Sequence, residues 1–167
     1  LKPAVKKPAH FRLKPIRSQI KILSKYFPQF RQIKSLYLPR TKKIFADLPS
    51  WVDGWIVVPH FKNYNQVVSD MLKILERSLK NFNTVRSGET SPEYLRLSKK
   101  TDRALFKCAR IFSRWPFMLI PIQVGYQYLG QSPRRARLLF RKNEFGLGPL
   151  EICWFLLTHQ SLLASNK

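Results

Sequence analysis

Two long stretches without an acidic residue constrain this chain more than any other feature. Residues 1–46 hold thirteen Lys or Arg and no acid, and residues 103–143 hold nine and no acid. Between them, residues 47–102 carry eight basic residues against seven acidic ones, and the remainder contributes only Glu144, Glu151 and Lys167. Cations crowded in this way repel one another as the chain compacts, so a fold must spread them over its outside or hold them against a polyanion. A surface built only for solubility would intersperse both signs. With a net charge of +22 over 167 residues, the segregation predicts a phosphate-tracking footprint in two zones. The alternative is that each basic run is an ordinary solvated face.

The chain has enough apolar content, 44%, to build a core, and its length fits one domain with an arm. Residues 1–17 place Pro3, Pro8 and Pro15 among Lys2, Lys6, Lys7, Arg12, Lys14 and Arg17. That composition resists helix and offers little core, so it predicts an extended basic arm that orders along a phosphate backbone; a mobile tail without a role is the alternative. Residues 18–167 are expected to form a single, mostly α-helical domain.

The helices follow from period and punctuation. Ser18 can cap a helix through Phe27, and Gln29 to Leu38 can form another before Pro39. Tyr26, Phe27, Phe30 and Tyr37, interleaved with cations there, could stack on bases, although helical spacing favours the core. Val68, Met71, Leu72, Leu75, Leu79 and Phe82 mark one face of a helix over 66–82, capped by Asn65 and supported by a Glu76–Lys80 pair. A further helix runs from Ser91-Pro92 towards Phe112, interrupted near Lys99 to Thr101, with Arg103, Lys107, Arg110 and Arg114 supplying the second basic zone. Residues 149–164, apolar nearly all round, read as the central core helix or as a face for a protein partner. Only Trp51 to His60 admits a strand, and no partner strand is evident for it.

The densest basic element is Gln131 to Lys142, QSPRRARLLFRK, with five cations and no acid. Ser132 suits an N-cap and Pro133 the first helical position. As a helix it puts Arg134, Arg137 and Arg141 at i, i+3 and i+7 on one face, opposite Ala136, Leu139 and Phe140. Residues 121–143 resemble helix-turn-helix DNA-binding proteins: a first helix ending at Tyr128-Leu129, a turn at Gly130-Gln131, and a second helix with the small Ala136 six residues after the glycine. The resemblance implies that the second helix enters the major groove, with Gln131, Ser132, Arg134, Arg135, Arg137 and Arg141 facing the DNA; Lys142, at the end of the same basic segment, is a further nucleic-acid-binding candidate.

Catalytic signatures are missing. Three scattered histidines, two cysteines and nine dispersed acids give no metal spacing, paired-carboxylate motif or nucleophile signature, and Glu144 to Gly148 lacks the lysine and serine of a phosphate-binding loop. No enzyme and no cofactor is expected; a nuclease assembled from Asp47, Asp53 and Asp70 is the remaining catalytic alternative. Cys108 and Cys153 make no disulfide framework, which fits an intracellular, reducing compartment. The longest apolar run, Ile152 to Leu157, is far short of a membrane span. The expectation is a nucleic-acid-binding protein, with duplex DNA favoured over RNA. A structural subunit of a ribonucleoprotein is the alternative.

Overall fold

The computed structural model describes residues 12–31, 33, 49–79, 82–84 and 88–160. Among them are five helices: α1 (Ile16–Leu23), α2 (Tyr64–Ser78), α3 (Lys99–Ile111), α4 (Pro133–Leu139) and α5 (Pro149–Thr158). Two strands, β1 (Gly54–Pro59) and β2 (Phe117–Ile122), and single 3-10 turns at Pro28–Phe30 and Tyr126–Tyr128 complete the described elements.

The strands pair with each other and correct the expectation of a mostly α domain: the fold is mixed, helices with a two-stranded antiparallel ribbon. The Asp53 amide donates to Ile122 O at 2.8 Å at one end, and the His60 amide to Pro116 O at 3.2 Å at the other. The partner of the Trp51–His60 strand thus lies in a stretch that the sequence reading divides between a helix end and a helix-turn-helix. Its signal is hidden for a physical reason. Ile56 to Pro59 and Phe117 to Ile120 are buried at every position, so neither run alternates between apolar and polar. Pro59 and Pro121 are tolerated because each strand of a two-stranded ribbon is an edge.

By contact density the chain divides into two compact units. The first comprises Leu1–Ile56 and Ile120–Glu144. In it, α1 starts directly after Pro15, three residues earlier than a Ser18 cap would place it, and ends at Leu23. Arg17 is therefore helical, while Lys2, Lys6 and Lys7 lie outside the described residues. Gln19, fully buried, donates through Nε2 to Lys14 O and to Trp55 O, both at 2.8 Å, and so ties the end of the arm to β1. A Cβ on Gly54 would sit 2.8 Å from Leu13 Cδ1, so glycine lets the two segments approach. The proposed helix over 29–38 is represented by the 3-10 turn alone, since residues 34–38 lie outside the described set.

The second unit comprises Val57–Leu119 and Phe145–Lys167. Its helices α2 and α5 pack on each other, with Val68, Met71 and Leu75 from one and Leu150, Cys153, Trp154 and Leu157 from the other buried. Helix α2 is capped by Asn63, whose side chain accepts from Gln66 N, not by Asn65. Asn65 donates instead to Thr90 O at 2.7 Å and Leu95 O at 3.2 Å, fastening the loop ahead of α3. That loop turns at Ser91, and α3 begins at Lys99 under a Ser98 cap. Glu76 accepts from Thr84 N at 3.2 Å; Lys80, its expected partner, lies outside the described residues. The all-round apolarity of α5 is mostly used internally, leaving Ile152 as its exposed large apolar side chain; residues 161–164 are not described.

Candidate nucleic-acid interface

In the first unit the Arg-rich segment is a short helix held in a closed loop. Gly130, at φ 75°, makes the turn that places Ser132 outside the helix, and Ser132 Oγ accepts from Arg135 N at 3.2 Å. Helix α4 then lasts seven residues, to Leu139, and does not reach Lys142. The cause is Glu144. Its Oε2 accepts from the Arg141 amide at 2.7 Å, so that this amide does not continue the helical ladder towards Arg137. The same carboxylate oxygen accepts from the Tyr128 hydroxyl, and the Tyr128 and Phe140 rings lie 5.5 Å apart by centroid. Partial burial and this hydrogen bond push the Tyr128 phenol up to about 12, keeping it a donor.

The early end of α4 redistributes the candidate residues. Arg134, Arg135 and Arg137 are on the helix and exposed. Arg141 is exposed but off the helix, with its guanidinium 5.2 Å from the centre of the Trp51 ring, a cation–π contact. The expected face of Arg134, Arg137 and Arg141 thus keeps its first two members only. Lys142 and Ser132 are exposed and Gln131 is half-buried. Of the expected apolar face, Ala136 and Phe140 are half-buried and Leu139 is 45% exposed; Leu138, outside that face, is 72% exposed. Leu129 is exposed too. At 121–129, where the helix-turn-helix resemblance implies a helix, the chain is the end of β2 followed by the 3-10 turn over Tyr126–Tyr128. Of the arm, Arg12 and Arg17 are exposed and Lys14 is half-buried.

The second unit carries a cation row that the sequence reading names only as a basic zone. Arg103, Lys107 and Arg110 recur at i, i+4 and i+7 along α3, and Arg114 follows in the turn after it; all four are exposed. Their helical spacing is the signal that singles them out. Phe106 and Ile111, each 66% exposed, flank this row on its two edges.

The groups that flank β1 are structural. Asp53 Oδ2 accepts from Val124 N at 2.8 Å, and His60 Nε2 donates to Phe112 O at 3.1 Å. Asp47 lies outside the described residues. No group of three or more His, Cys, Asp or Glu that could hold a metal occurs among the described residues. Burial pushes the Cys108 thiol up, and burial with the nearby Glu151 carboxylate pushes Cys153 up to about 11. Among the described residues no helix is long and apolar enough to cross a membrane. Comparison with protein families, with curated proteins and with solved structures finds no match to this chain.

Proposed function

We propose that this chain is a non-enzymatic, intracellular nucleic-acid-binding protein that engages duplex DNA through α4 and the residues around it. The observation that carries this reading is the exposure of Arg134, Arg135 and Arg137 on one short helix, in a segment with no acid before Glu144. Glu144 is itself buried and occupied by Tyr128 and the Arg141 amide, so it leaves the local surface cationic. Guanidinium forks suit phosphate and the O6/N7 edge of guanine, whereas the lysines of the arm suit sequence-independent contact with the backbone. The glycine turn and capped second helix are the parts of the helix-turn-helix resemblance on which groove entry by α4 rests. The two buried acids among the described residues, Glu144 and Glu151, accept hydrogen bonds within the fold.

A second reading, a structural RNA-binding subunit of a ribonucleoprotein such as a ribosome, draws support from Leu129, Leu138 and Leu139. Apolar side chains exposed beside arginines suit burial against neighbouring proteins within an assembly.

The deciding experiment is a salt-dependent titration of the whole chain against duplex DNA, duplex RNA and single-stranded RNA, repeated with Arg134→Ala and Arg137→Ala. Preference for duplex DNA that the two substitutions weaken supports the first reading. Equal binding of RNA, with variants that behave like the parent, removes α4 as the reader and favours the second.

A further inference from the structure

We propose that the second unit carries its own site for an unpaired nucleobase, at the place where the α3 cation row meets an aromatic cavity. The site does not depend on α4. Phe106 stands one turn from both Arg103 and Arg110, so an exposed aromatic ring interrupts a row of cations. Two-thirds of that side chain faces solvent, an arrangement that burial alone would not select.

Phe106 also lines a cavity of about 230 Å³ whose walls include Phe61, Tyr64, His60, Lys62 and Asp102. The Phe61 and Tyr64 rings meet edge to face, with centroids 5.4 Å apart, and give the wall a fixed aromatic corner. Drug-sized ligands fill roughly 300–1,000 Å³, so this cavity suits one planar heterocycle and little more. Its polar lining supplies both kinds of hydrogen-bonding group that a base edge requires: the Lys62 ammonium donates and the Asp102 carboxylate accepts. His60 also lines the cavity, with its Nε2 held by Phe112 O.

Outside the cavity, Arg103, Lys107 and Arg110 extend over roughly 10 Å of helix, at 1.5 Å per residue, as a track for phosphates. An aromatic platform beside a cationic track is how single strands are held without sequence readout. A cationic ligand would meet repulsion along this row. A lipid surface requires a longer apolar face than Phe106 and Ile111 provide.

The test uses the full chain and fluorescein-labelled single strands of eight nucleotides, oligo(dT) and oligo(U), with a blunt DNA duplex and an abasic oligomer of equal length as controls. The expected result is that Phe106→Ala weakens binding of at least one single strand about tenfold, in line with the loss of one stacked base, while duplex binding stays within twofold. Phe106→Tyr should restore the parent affinity. Exposure of the side chain makes misfolding of either variant an unneeded explanation. The proposal is overturned if Phe106→Ala matches the parent on both single strands, or if the abasic oligomer binds as tightly as the natural ones. Binding of anionic vesicles but not of oligonucleotides, lost in Phe106→Ala, overturns it as well. Should duplex DNA fail to bind while the Phe106 effect persists, the α4 reading falls and this one stands.

Discussion

Tyr64 and Glu151, 87 residues apart in sequence, are joined by a hydrogen bond across the packed pair α2 and α5: the phenol donates to Glu151 Oε2 at 3.1 Å. The Leu150 amide donates in turn to the phenol oxygen at 3.2 Å. Glu151 is fully buried, and that burial raises its carboxyl above the ordinary 4.5. Removing the hydroxyl takes one of several hydrogen bonds from a buried acid and leaves the Leu150 amide at the helix start without its acceptor. Tyr64→Phe should therefore cost about 1–3 kcal/mol, the penalty of unsatisfied buried groups, read as the shift in a urea unfolding midpoint. A midpoint within experimental error of the parent would show that water replaces the phenol.

The same carboxyl gives a pH dependence of defined sign. A raised folded-state value means that the folded protein binds this proton more tightly than the unfolded chain does. Its stabilising effect is complete below pH 4.5 and is lost as pH rises through the elevated value. Glu151→Gln, neutral at every pH, should lose this part of the decline. Midpoints measured at pH 4.5 and pH 8 should thus differ less in the variant than in the parent. An identical difference in both would mean that Glu151 does not titrate with folding.

Gly148 is required by space and not by backbone conformation. A Cβ there would meet the Tyr64 hydroxyl, Leu97 Cδ2 at 2.5 Å and Glu151 Oε2 at 2.7 Å. Gly148→Ala should destabilise by roughly 1–3 kcal/mol, the usual range for overpacking. Gly88, with nothing within 4 Å of a Cβ, is the matched control, and its alanine variant should stay within about 0.5 kcal/mol of the parent.

Glu144 holds the loop that presents α4, so its loss should be felt at the loop's end. In Glu144→Ala both Tyr128 and the Arg141 amide lose their acceptor. Limited trypsin digestion should cut faster after Arg141 and Lys142 than in the parent. Tyr128 should also ionise below about 12, since the hydrogen bond and charge of Glu144 are gone while burial remains, which an ultraviolet titration against Tyr128→Phe resolves. Unchanged cleavage would place the rigidity of the loop elsewhere.

Deleting residues 1–11 removes Lys2, Lys6 and Lys7 but leaves Lys14, whose carbonyl Gln19 holds. If these lysines contact phosphates, each contributes about 0.9 to the slope of log affinity against log salt on duplex DNA, so the slope should fall by up to about 2.7. Affinity should drop by a similar factor on every sequence. A loss confined to one sequence would assign the arm to base reading.

What the sequence makes legible follows a pattern. Helix α2 is announced by the period of Val68, Met71 and Leu75, and its cap is misplaced by two residues because Asn63 and Asn65 are chemically equivalent candidates; the start of α3 is misplaced by seven, from Ser91 to Ser98. The ribbon is not announced, since Phe117 to Ile122 is apolar on both faces and contains a proline. Length is misjudged where a distant side chain intervenes: nothing local says that Glu144 will capture the Arg141 amide and end α4. The α3 cations are legible as a basic zone, but the exposure of Phe106 beside them follows only from tertiary structure, because helical aromatics usually point inward.

The burial of Cys153 against α2 also makes this thiol a clock. With its value pushed up to about 11 by burial and by Glu151, the thiol stays protonated and unreactive at neutral pH while the fold is closed. An alkylating reagent added to the native protein therefore waits for α5 to part from α2. The pace of labelling counts those openings one molecule at a time.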